Sequence, residues 1–375
     1  MEITGIICEY NPLHRGHQKQ LSAVRSHLPD GGIVCLMSGN YVQRGAPAVF
    51  DKSLRASAAI RSGADLVLEL PIGGCLSSAE GFAAEGVRIL SGFCDNLCFG
   101  AETGTSKALM DAAKRLLSPE FTRALHLQLD MGLSFPTARQ AALGSDLLSR
   151  PNDILAVEYC KAILTQNAKL KPMVIRREGS YHAAEADMEN PSATSLRNLM
   201  AYDETWLDFV PEAAQSCFVG AVRHTLSVGE RAILARLRSM TEAEFEALPH
   251  GSEGLWRKFM HAVGKETTVE EILTAVKSKR YTRTRLDRML MCAFLGISQE
   301  MLQSPAPYVR VLAFNDRGRE ILRQARQSGE FINAGEIVGH PYQALENRYS
   351  DLYGLFAEEP EAPGAEKSRR VVYLP

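Results

Sequence analysis

Short runs of β-branched and aliphatic residues alternate with helical stretches through the first half of the chain. These runs predict strands over residues 3–8, 32–37, 66–70, 96–100 and 172–176. Helices are predicted between them over residues 16–28, 51–62 and 78–90, and a longer helical region runs from 106 to about 166. Because strands joined through helices pair in parallel, the pattern predicts a doubly wound α/β domain with a parallel, Rossmann-like sheet. A ligand is expected beyond the carboxyl ends of the strands.

Strand signals nearly vanish after residue 204. Helical spacing predicts helices over residues 230–238, 241–248, 253–263, 269–276 and 283–295. A single late α/β element follows, with a strand over 307–314 and a helix over 317–327, and residues 358–367 are rich in Glu, Pro, Ala and Gly. We therefore predict an α/β domain over 1–204, a mainly helical domain with a small late α/β element over 205–357, and a mobile tail over 358–375.

Composition excludes several classes of protein. Among the 375 residues, 45% are hydrophobic and 23% are charged, which is typical of a globular chain and not of a disordered one. No apolar run is long enough for a membrane helix and the N-terminus lacks a signal peptide pattern, so we expect a cytoplasmic protein with no membrane contact. The eight cysteines mostly stand singly in apolar segments, as buried reduced thiols do. The net charge of −2 requires any nucleic-acid contact to come from a local patch.

Two histidines flank a glycine where the first predicted strand gives way to the first helix, in the segment IICEYNPLHRGH at 6–17. His14 and His17 are three residues apart and share one face of the opening turn, beside backbone N–H groups and the positive end of the helix dipole. This arrangement suits a polyphosphate, and Gly16 lets a flat base or a ribose approach the backbone closely. A capped, solvated turn is the structural alternative. A metal site is disfavoured, because no third ligand lies at a usual spacing.

The segment resembles the first motif, His/Thr-x-Gly-His, of the HIGH-type nucleotidyltransferase superfamily. The second signature of the superfamily resembles Ser-x-Thr-x-Ile-Arg, and this chain has SATSLR at 192–197, with Leu in place of Ile. The resemblance implies a nucleotidyltransferase-like (HUP) fold with His14, His17 and Arg197 as catalytic residues that stabilise the transition state at the α-phosphate. Ser192 and Thr194 can cap the helix that carries Arg197, whose planar fork suits phosphate oxygens. A plain capped helix is the alternative for this hexapeptide alone.

Further segments resemble the bacterial tRNA(Met) cytidine acetate ligase family in order and spacing. They are EYNP at 9–12, MSGNYVQRG at 37–45, DLVLELP at 65–71, FGAE at 99–102, RPNDIL at 150–155, RR at 176–177 ahead of YH at 181–182, and YVRVLAFN at 308–315. The match covers nearly the whole chain, including its helical half. Each piece alone is a modest signal, but their order and spacing together are specific.

This resemblance implies a ligase that uses ATP and acetate to form an acetyl-adenylate and then acetylates N4 of the wobble cytidine of elongator tRNA(Met), which gives N4-acetylcytidine. It implies no obligate protein partner, and Mg²⁺ accompanies ATP without a dedicated protein cage. The implied ATP contacts are Ile7, Cys8, Glu9, Tyr10, Asn11, Pro12, Leu13, His14, Gly16, His17, Gln20, Gly100, Asn152, Ser192, Thr194, and Arg176 or Arg177. Two arginines stand where one is expected, and counting back from Tyr181 favours Arg176.

Residues near the second and third strands allow more than one role. The loop 38–48 can close over acetate, position the cytidine, or simply pack. Lys52 and Arg55 on the following helix can add phosphate contacts, although a solvated helix face explains them better.

A basic segment at 277–285 is the clearest candidate for RNA binding. Its candidate contacts are Lys277, Lys279, Arg280, Tyr281, Arg283 and Arg285. Cations around a tyrosine suit a phosphate track with a stacking ring, and a solvated helix start explains the same run less specifically. Two alternative functions stay open at this stage. One is a small-molecule nucleotidyltransferase or other carboxylate-adenylating enzyme, which would not need the basic segment, and the other is a non-catalytic tRNA-binding protein.

Overall fold

The computed structural model describes residues 1–176 and 191–375. Its strands are β1 (Ile3–Cys8), β2 (Gly32–Ser38), β3 (Tyr41–Val42), β4 (Ala46–Pro47), β5 (Leu66–Leu70), β6 (Asn96–Ala101), β7 (Lys171–Arg176), β8 (Val309–Phe314), β9 (Phe331–Asn333) and β10 (Val372–Tyr373). The helices up to residue 200 are α1 (Arg15–His27), α2 (Lys52–Arg61), α3 (Ile72–Cys75), α4 (Ala79–Leu90), α5 (Ser106–Leu116), α6 (Pro119–Asp130), α7 (Phe135–Leu143), α8 (Pro151–Thr165) and α9 (Ala193–Leu199). The later helices are α10 (Glu212–Gln215), α11 (Glu230–Ser239), α12 (Glu242–Glu246), α13 (Leu255–Val263), α14 (Val269–Val276), α15 (Arg283–Leu295), α16 (Gln299–Gln303), α17 (Asp316–Ala325), α18 (Pro341–Tyr353) and α19 (Ala365–Ser368). Short 3₁₀ helices lie at Asp146–Leu148, Thr205–Phe209 and Gly354–Phe356.

One twisted sheet has the strand order β10–β8–β5–β2–β1–β6–β7, with β9 also paired to β8. β1 pairs in parallel with β2 and β6, β2 with β5, and β6 with β7. The chain winds outward from β1 through β2 to β5, and then returns to place β6 and β7 on the other side of β1. These parallel strands confirm the predicted fold class. The change of winding direction puts the expected ligand crevice at the carboxyl ends of β1 and β6.

Helices cover both faces of the sheet. On one face α4, α5, α8 and α17 contribute to a core that contains Phe82 and Val157. On the other face α1, α2 and α9 contribute to a core that contains Leu21 and Leu196. Every residue of β2 is buried, as expected for a central strand with both faces covered.

Helices α11–α15 share a separate apolar core, which includes Ile233, Phe259, Leu273 and Leu290. Their bounds follow the predicted helical spacing closely, and α14 and α15 begin and end where the sequence predicted. Tyr41 of β3 also belongs to this core, so the helical part packs directly on an extension of the sheet domain. Within residues 1–176 and 191–375, no helix has both the length and the hydropathy needed to cross a bilayer.

The C-terminal region differs from the prediction. The predicted late strand is β8, which runs antiparallel to β5 in the main sheet, so it is not an element of the helical part. Residues 358–375, predicted as a mobile tail, include α19 and β10, and β10 pairs in parallel with β8. Glu366 is only 1% exposed, and its carboxylate lies 2.9 Å from Nζ of Lys52 and 3.5 Å from Nε of Arg310. The segment is held by buried ion pairs, which its low apolar content does not reveal.

Candidate active site

A cavity of about 790 Å³ opens at the carboxyl ends of β1, β6 and β7. The first turns of α1, α8 and α9 contribute to its wall. Among the predicted catalytic and ATP-contacting residues, those that line the cavity are Ile7, Cys8, Glu9, Tyr10, Asn11, His14, Gly16, His17, Gln20, Gly100, Asn152, Arg176, Ser192, Thr194 and Arg197. Pro12 and Leu13 are buried and are not part of this wall, and Arg177 lies outside the described residues. The structure therefore gathers residues from four distant parts of the sequence into one cavity.

The two histidines of the first motif organise the start of α1. His14 is the N-cap residue, and its Nδ1 accepts a hydrogen bond from the Gly16 N–H at 3.1 Å. His17 Nδ1 accepts one from the His14 N–H at 3.3 Å, and the two rings stack with their centroids 3.7 Å apart. Because Nδ1 of each ring accepts from backbone, a neutral ring carries its proton on Nε2, which is a donor suited to a phosphate oxygen. The capped turn and the predicted phosphate-binding motif thus share one local geometry.

Gly16 and Tyr10 shape the space around this pair. A Cβ on Gly16 would lie 3.0 Å from Cε1 and 3.1 Å from Nδ1 of His14, so a larger residue would crowd the cap itself. The Tyr10 ring centroid lies 4.9 Å from that of His17, and the Tyr10 hydroxyl is 3.4 Å from Sγ of Cys35. Burial raises the pKa of Tyr10 well above its ordinary value, which keeps the phenol neutral next to the histidines.

Arg197 joins the second signature to the first. Its Nη1 donates to the Asn11 carbonyl oxygen at 2.7 Å, and its Nη2 donates to Oγ1 of Thr194 at 3.1 Å. The helix that carries Arg197 is capped by Ser192, whose Oγ accepts from the Ser195 N–H at 3.0 Å. These bonds anchor the guanidinium to the backbone of the first motif, and Arg197 lines the same cavity as the histidine pair.

Lys52 and Arg55 have a different role from either one predicted, because both side chains are buried and neither lies on a solvated face. Arg55 donates from Nη1 to the Glu9 carbonyl oxygen at 2.6 Å and to the Ser38 carbonyl oxygen at 3.1 Å, and it also binds the Gly39 carbonyl. It therefore ties together the carboxyl ends of β1 and β2. Burial opposes the charge of Lys52, but the carboxylates of Glu366 and Glu69 outweigh burial and raise its pKa. Neither residue lines the cavity.

The loop 38–48 folds into the two-stranded β3–β4 hairpin. Residues 42–47 line the cavity, while the Tyr41 hydroxyl donates to the Tyr349 carbonyl oxygen at 3.0 Å. The Gln43 N–H donates to Oε1 of Glu9 at 2.7 Å, which ties the hairpin to the first motif. Gly45 has φ +80°, and a Cβ there would lie 2.3 Å from the backbone nitrogen of Arg288. The hairpin thus packs and lines the cavity at the same time, between β1 and α15.

The cavity also contains a residue that no motif indicated. His224 is 1% exposed, its ring stacks on Tyr353 with centroids 3.9 Å apart, and its Nε2 lies 2.9 Å from Oε2 of Glu361. Its N–H donates to the Val49 carbonyl oxygen at 2.8 Å. A single histidine between loop residues gives no sequence signal, because its partners are more than a hundred residues away along the chain.

The basic segment lies partly in contact with acidic partners. Arg283 binds both carboxylate oxygens of Glu270 at 2.7 and 2.6 Å, and its Nε is 2.8 Å from Oδ1 of Asp287. Arg280 is 3.0 Å from Glu253, and the guanidiniums of Arg280 and Arg285 lie 5.9 and 5.2 Å from the Tyr281 ring centroid. Lys277 and Lys279 are exposed and form no ion pair with any residue in the described ranges. The segment therefore offers two lysines to solvent, while Arg283 mainly holds α15.

Comparisons with known proteins agree on one family. The family model described as HIGH Nucleotidyl Transferase matches residues 1–362. The chain is 36% identical to the tRNA(Met) cytidine acetate ligase of Clostridium novyi, over 87% of this chain and 88% of that one, and 31% identical to the enzyme of the same name from Acetivibrio thermocellus over the full length of both. Crystal structures of Thermotoga maritima TmcAL, in an apo form and bound with alpha-thio ATP, match with TM-scores of 0.91 and 0.89 at 28% identity, over the whole of each chain.

Proposed function

The chain belongs to the HIGH nucleotidyl transferase family and within it to the tRNA(Met) cytidine acetate ligases, and we propose that it uses ATP to activate acetate and transfers the acetyl group to N4 of the wobble cytidine of elongator tRNA(Met). The relatives are named tRNA(Met) cytidine acetate ligase, and they match through the helical part as well as the α/β part. A small-molecule nucleotidyltransferase would not need that helical part. A tRNA-binding module without catalysis would not need the whole set of His14, Gly16, His17 and Arg197.

The observation that carries the proposal is the convergence of His14, His17 and Arg197 on one cavity wall. His14 is the N-cap of α1, His17 lies in its first turn, and Arg197 is bonded to the carbonyl oxygen of Asn11, three residues before the cap. Imidazole and guanidinium donors together with a helix N-terminus form a site for several phosphate oxygens. This arrangement supports binding of a nucleoside triphosphate, and the alpha-thio ATP bound to the Thermotoga maritima protein supports ATP in particular.

The first step of the proposed reaction forms the acetyl-adenylate. A carboxylate oxygen of acetate attacks the α-phosphorus of ATP, the bond from this phosphorus to the bridging oxygen breaks, and pyrophosphate leaves with that electron pair. No protein nucleophile is required. The chain contributes alignment and neutralisation of phosphate charge, for which His14, His17 and Arg197 are suitable donors.

The second step transfers the acetyl group. The exocyclic amine of cytidine attacks the acyl carbon of the adenylate, the mixed anhydride bond breaks, and AMP leaves. The amine loses one proton to solvent or to the leaving phosphate. Because the amine must reach the adenylate, the target base has to be unstacked, which the wobble position of an anticodon loop permits.

Magnesium enters this proposal as part of the ATP substrate. Within residues 1–176 and 191–375, no group of three or more His, Cys, Asp or Glu side chains is arranged to hold a metal ion. A Mg²⁺ ion bound with ATP would take phosphate oxygens and water as its main ligands, as this ion commonly does.

The basic segment is the proposed contact for tRNA phosphates. Lys277 and Lys279 extend into solvent, and α15, which follows the segment, carries Asp287 at the cavity. A phosphate track there would hold the anticodon stem-loop next to the cavity that holds the adenylate. A tRNA substrate also puts the proposed reaction in the cytoplasm.

The test is incorporation of labelled acetate into purified elongator tRNA(Met) by the full chain with ATP, followed by mass spectrometry of the nucleosides. We expect N4-acetylcytidine, and no product from a transcript that has uridine at the wobble position. Acetate-dependent exchange of pyrophosphate into ATP, measured without tRNA, follows the first step alone.

The two assays separate the alternatives. Exchange without modified tRNA would contradict the proposed acceptor but not carboxylate activation. No exchange with acetate would contradict the proposed adenylation.

A further inference from the structure

The cavity has two chemically different sides. On the sheet face covered by α1 and α9 its wall carries hydrogen-bond donors and cations, namely His14, His17 and Arg197, together with Lys19. On the opposite face, covered by α4 and α8, its wall is apolar and partly aromatic, formed by Phe82, Phe99, Ile154, Leu155 and Tyr159. A nucleotide has the same division, because its triphosphate is anionic and its base is flat and largely apolar. The apolar side therefore fits the base.

A polar pair stands at the rim of this apolar side. Asn152 lines the cavity in the first turn of α8, and its Nδ2 lies 2.6 Å from Oε1 of Glu102, at the end of β6. Glu102 is 9% exposed and does not line the cavity. The same turn is fixed from the other direction, since Oδ1 of Asp153 accepts from the Glu102 N–H at 2.8 Å. The first bond holds the amide of Asn152, and the second holds the turn of α8 that carries it.

The contact with Glu102 also determines the orientation of the Asn152 side-chain amide. A carboxylate has acceptors and no donor, so the atom of Asn152 that faces Glu102 must be the NH₂ group. The carbonyl Oδ1 is then the end of the amide directed away from Glu102. Without such a neighbour an asparagine amide can present either a donor or an acceptor to a ligand, and Glu102 removes that choice.

We propose that Glu102 is a positioning residue for base selection: by binding Nδ2 of Asn152 it makes Oδ1 the acceptor for the 6-amino group of adenine. This inference rests on the proposed function in that the ligand is taken to be ATP. Inosine carries a carbonyl oxygen at position 6, which would face Oδ1 as a second acceptor and leave both oxygens without a donor. The pair of Glu102 and Asn152 thus favours ATP over ITP, while the phosphate side of the cavity contacts both nucleotides equally.

The test compares binding of ATP and ITP to the full chain by calorimetry, with Mg²⁺ but without acetate or tRNA. We expect the wild-type protein to bind ATP at least about tenfold more tightly than ITP, a ratio typical of one buried hydrogen bond that is replaced by an unpaired group. In Glu102→Gln the new amide can donate to Oδ1 of Asn152, so Asn152 can turn its NH₂ group to the ligand. The ratio should then fall about tenfold, toward equal binding.

A matched control is Glu85→Gln, which removes a carboxylate bonded to Arg88 on α4, outside the cavity. It should leave the ratio of ATP to ITP binding unchanged. Purine riboside triphosphate, which lacks the 6-amino group, should bind to the wild-type protein about tenfold more weakly than ATP. This comparison needs no variant and therefore does not depend on whether Glu102→Gln folds.

Equal weakening of ATP and ITP in Glu102→Gln would overturn the inference, because a residue that only anchors α8 changes both affinities alike. Equal binding of ATP, ITP and purine riboside triphosphate by the wild-type protein would also overturn it. Either result leaves the proposed ligase function intact. Failure of the wild-type protein to bind any nucleotide would refute the proposed function itself.

Discussion

His14 has two separable tasks in the structure. Its Nδ1 caps α1 by accepting the Gly16 N–H at 3.1 Å, and its ring lines the cavity, stacked on His17 at 3.7 Å. Alanine at this position removes the cap and the ring together. Asparagine removes the ring alone, because its side-chain oxygen is among the best N-caps. The pair His14→Ala and His14→Asn therefore distinguishes a structural turn from a catalytic motif.

The expected magnitudes differ between the two tasks. Loss of an N-cap lowers the free energy of unfolding by about 1 kcal/mol, and truncation of a side chain that is 0% exposed adds to this loss. Loss of a donor to the charged transition state lowers the rate by about 10²–10³-fold, which corresponds to about 2.7–4 kcal/mol. Compared with His14→Ala, His14→Asn should therefore regain the stability that the cap contributes, but its rate of adenylation should stay as low.

Two measurements test this prediction. Urea denaturation reports the free energy of unfolding, and acetate-dependent pyrophosphate exchange reports adenylation without tRNA. His27→Asn is the matched control, because His27 is an exposed histidine in the last turn of the same helix. It should change neither quantity appreciably. Exchange by His14→Asn at close to the wild-type rate would refute the reasoning, since capping would then be the only task of His14.

Three further results are expected. Glu366→Ala removes one carboxylate from the buried ammonium of Lys52 and the buried guanidinium of Arg310, so urea denaturation should show a free energy of unfolding lower by about 3 kcal/mol. A decrease below about 1 kcal/mol, as for surface ion pairs, would show that these pairs do not anchor the C-terminal segment. Lys277→Ala with Lys279→Ala should lower the slope of log affinity for tRNA against log salt concentration by about 0.7–0.9 per lysine, and Lys107→Ala on α5 should not change this slope. Burial lowers the pKa of His250 to about 4, so the unfolded state binds more protons below pH ~6.5, and stability should fall between pH ~6.5 and ~4. His250→Asn, which tolerates the local φ of +65°, should flatten the melting temperature across that window.

The sequence predicted the parts of the site that depend on local structure. His14 and His17 lie in one helical turn, and a turn after a buried strand fixes where they stand. The position of Arg197 beside them depends on the way α9 returns to the sheet, and there the resemblance to a family supplied what spacing alone does not. The bounds of α11–α15 were predicted well, because amphipathic spacing is a local property, but α18 was not predicted.

Contacts over long separations account for what the sequence did not reveal. Arg55 has the pattern of a solvated helix residue, yet it binds carbonyl groups at the ends of two strands. Lys52 pairs with Glu366, which lies 314 residues further along the chain, and this pair turns a segment of tail-like composition into part of the core. A buried ion pair has no periodicity, so its two members are indistinguishable in sequence from surface charges.

The β3–β4 hairpin lies between the first motif and the helix that follows the basic segment. The Gln43 N–H, in the turn of the hairpin, donates to Oε1 of Glu9 in the first motif, and Gly45 in the same turn packs on the backbone of Asp287 and Arg288. Those two residues lie one turn into α15, which begins at Arg283, at the end of the basic segment. Residues 42–47 of the hairpin also line the cavity. An RNA bound to the basic segment, as proposed above, would therefore be linked to the first motif by direct contacts through α15 and the turn of the hairpin.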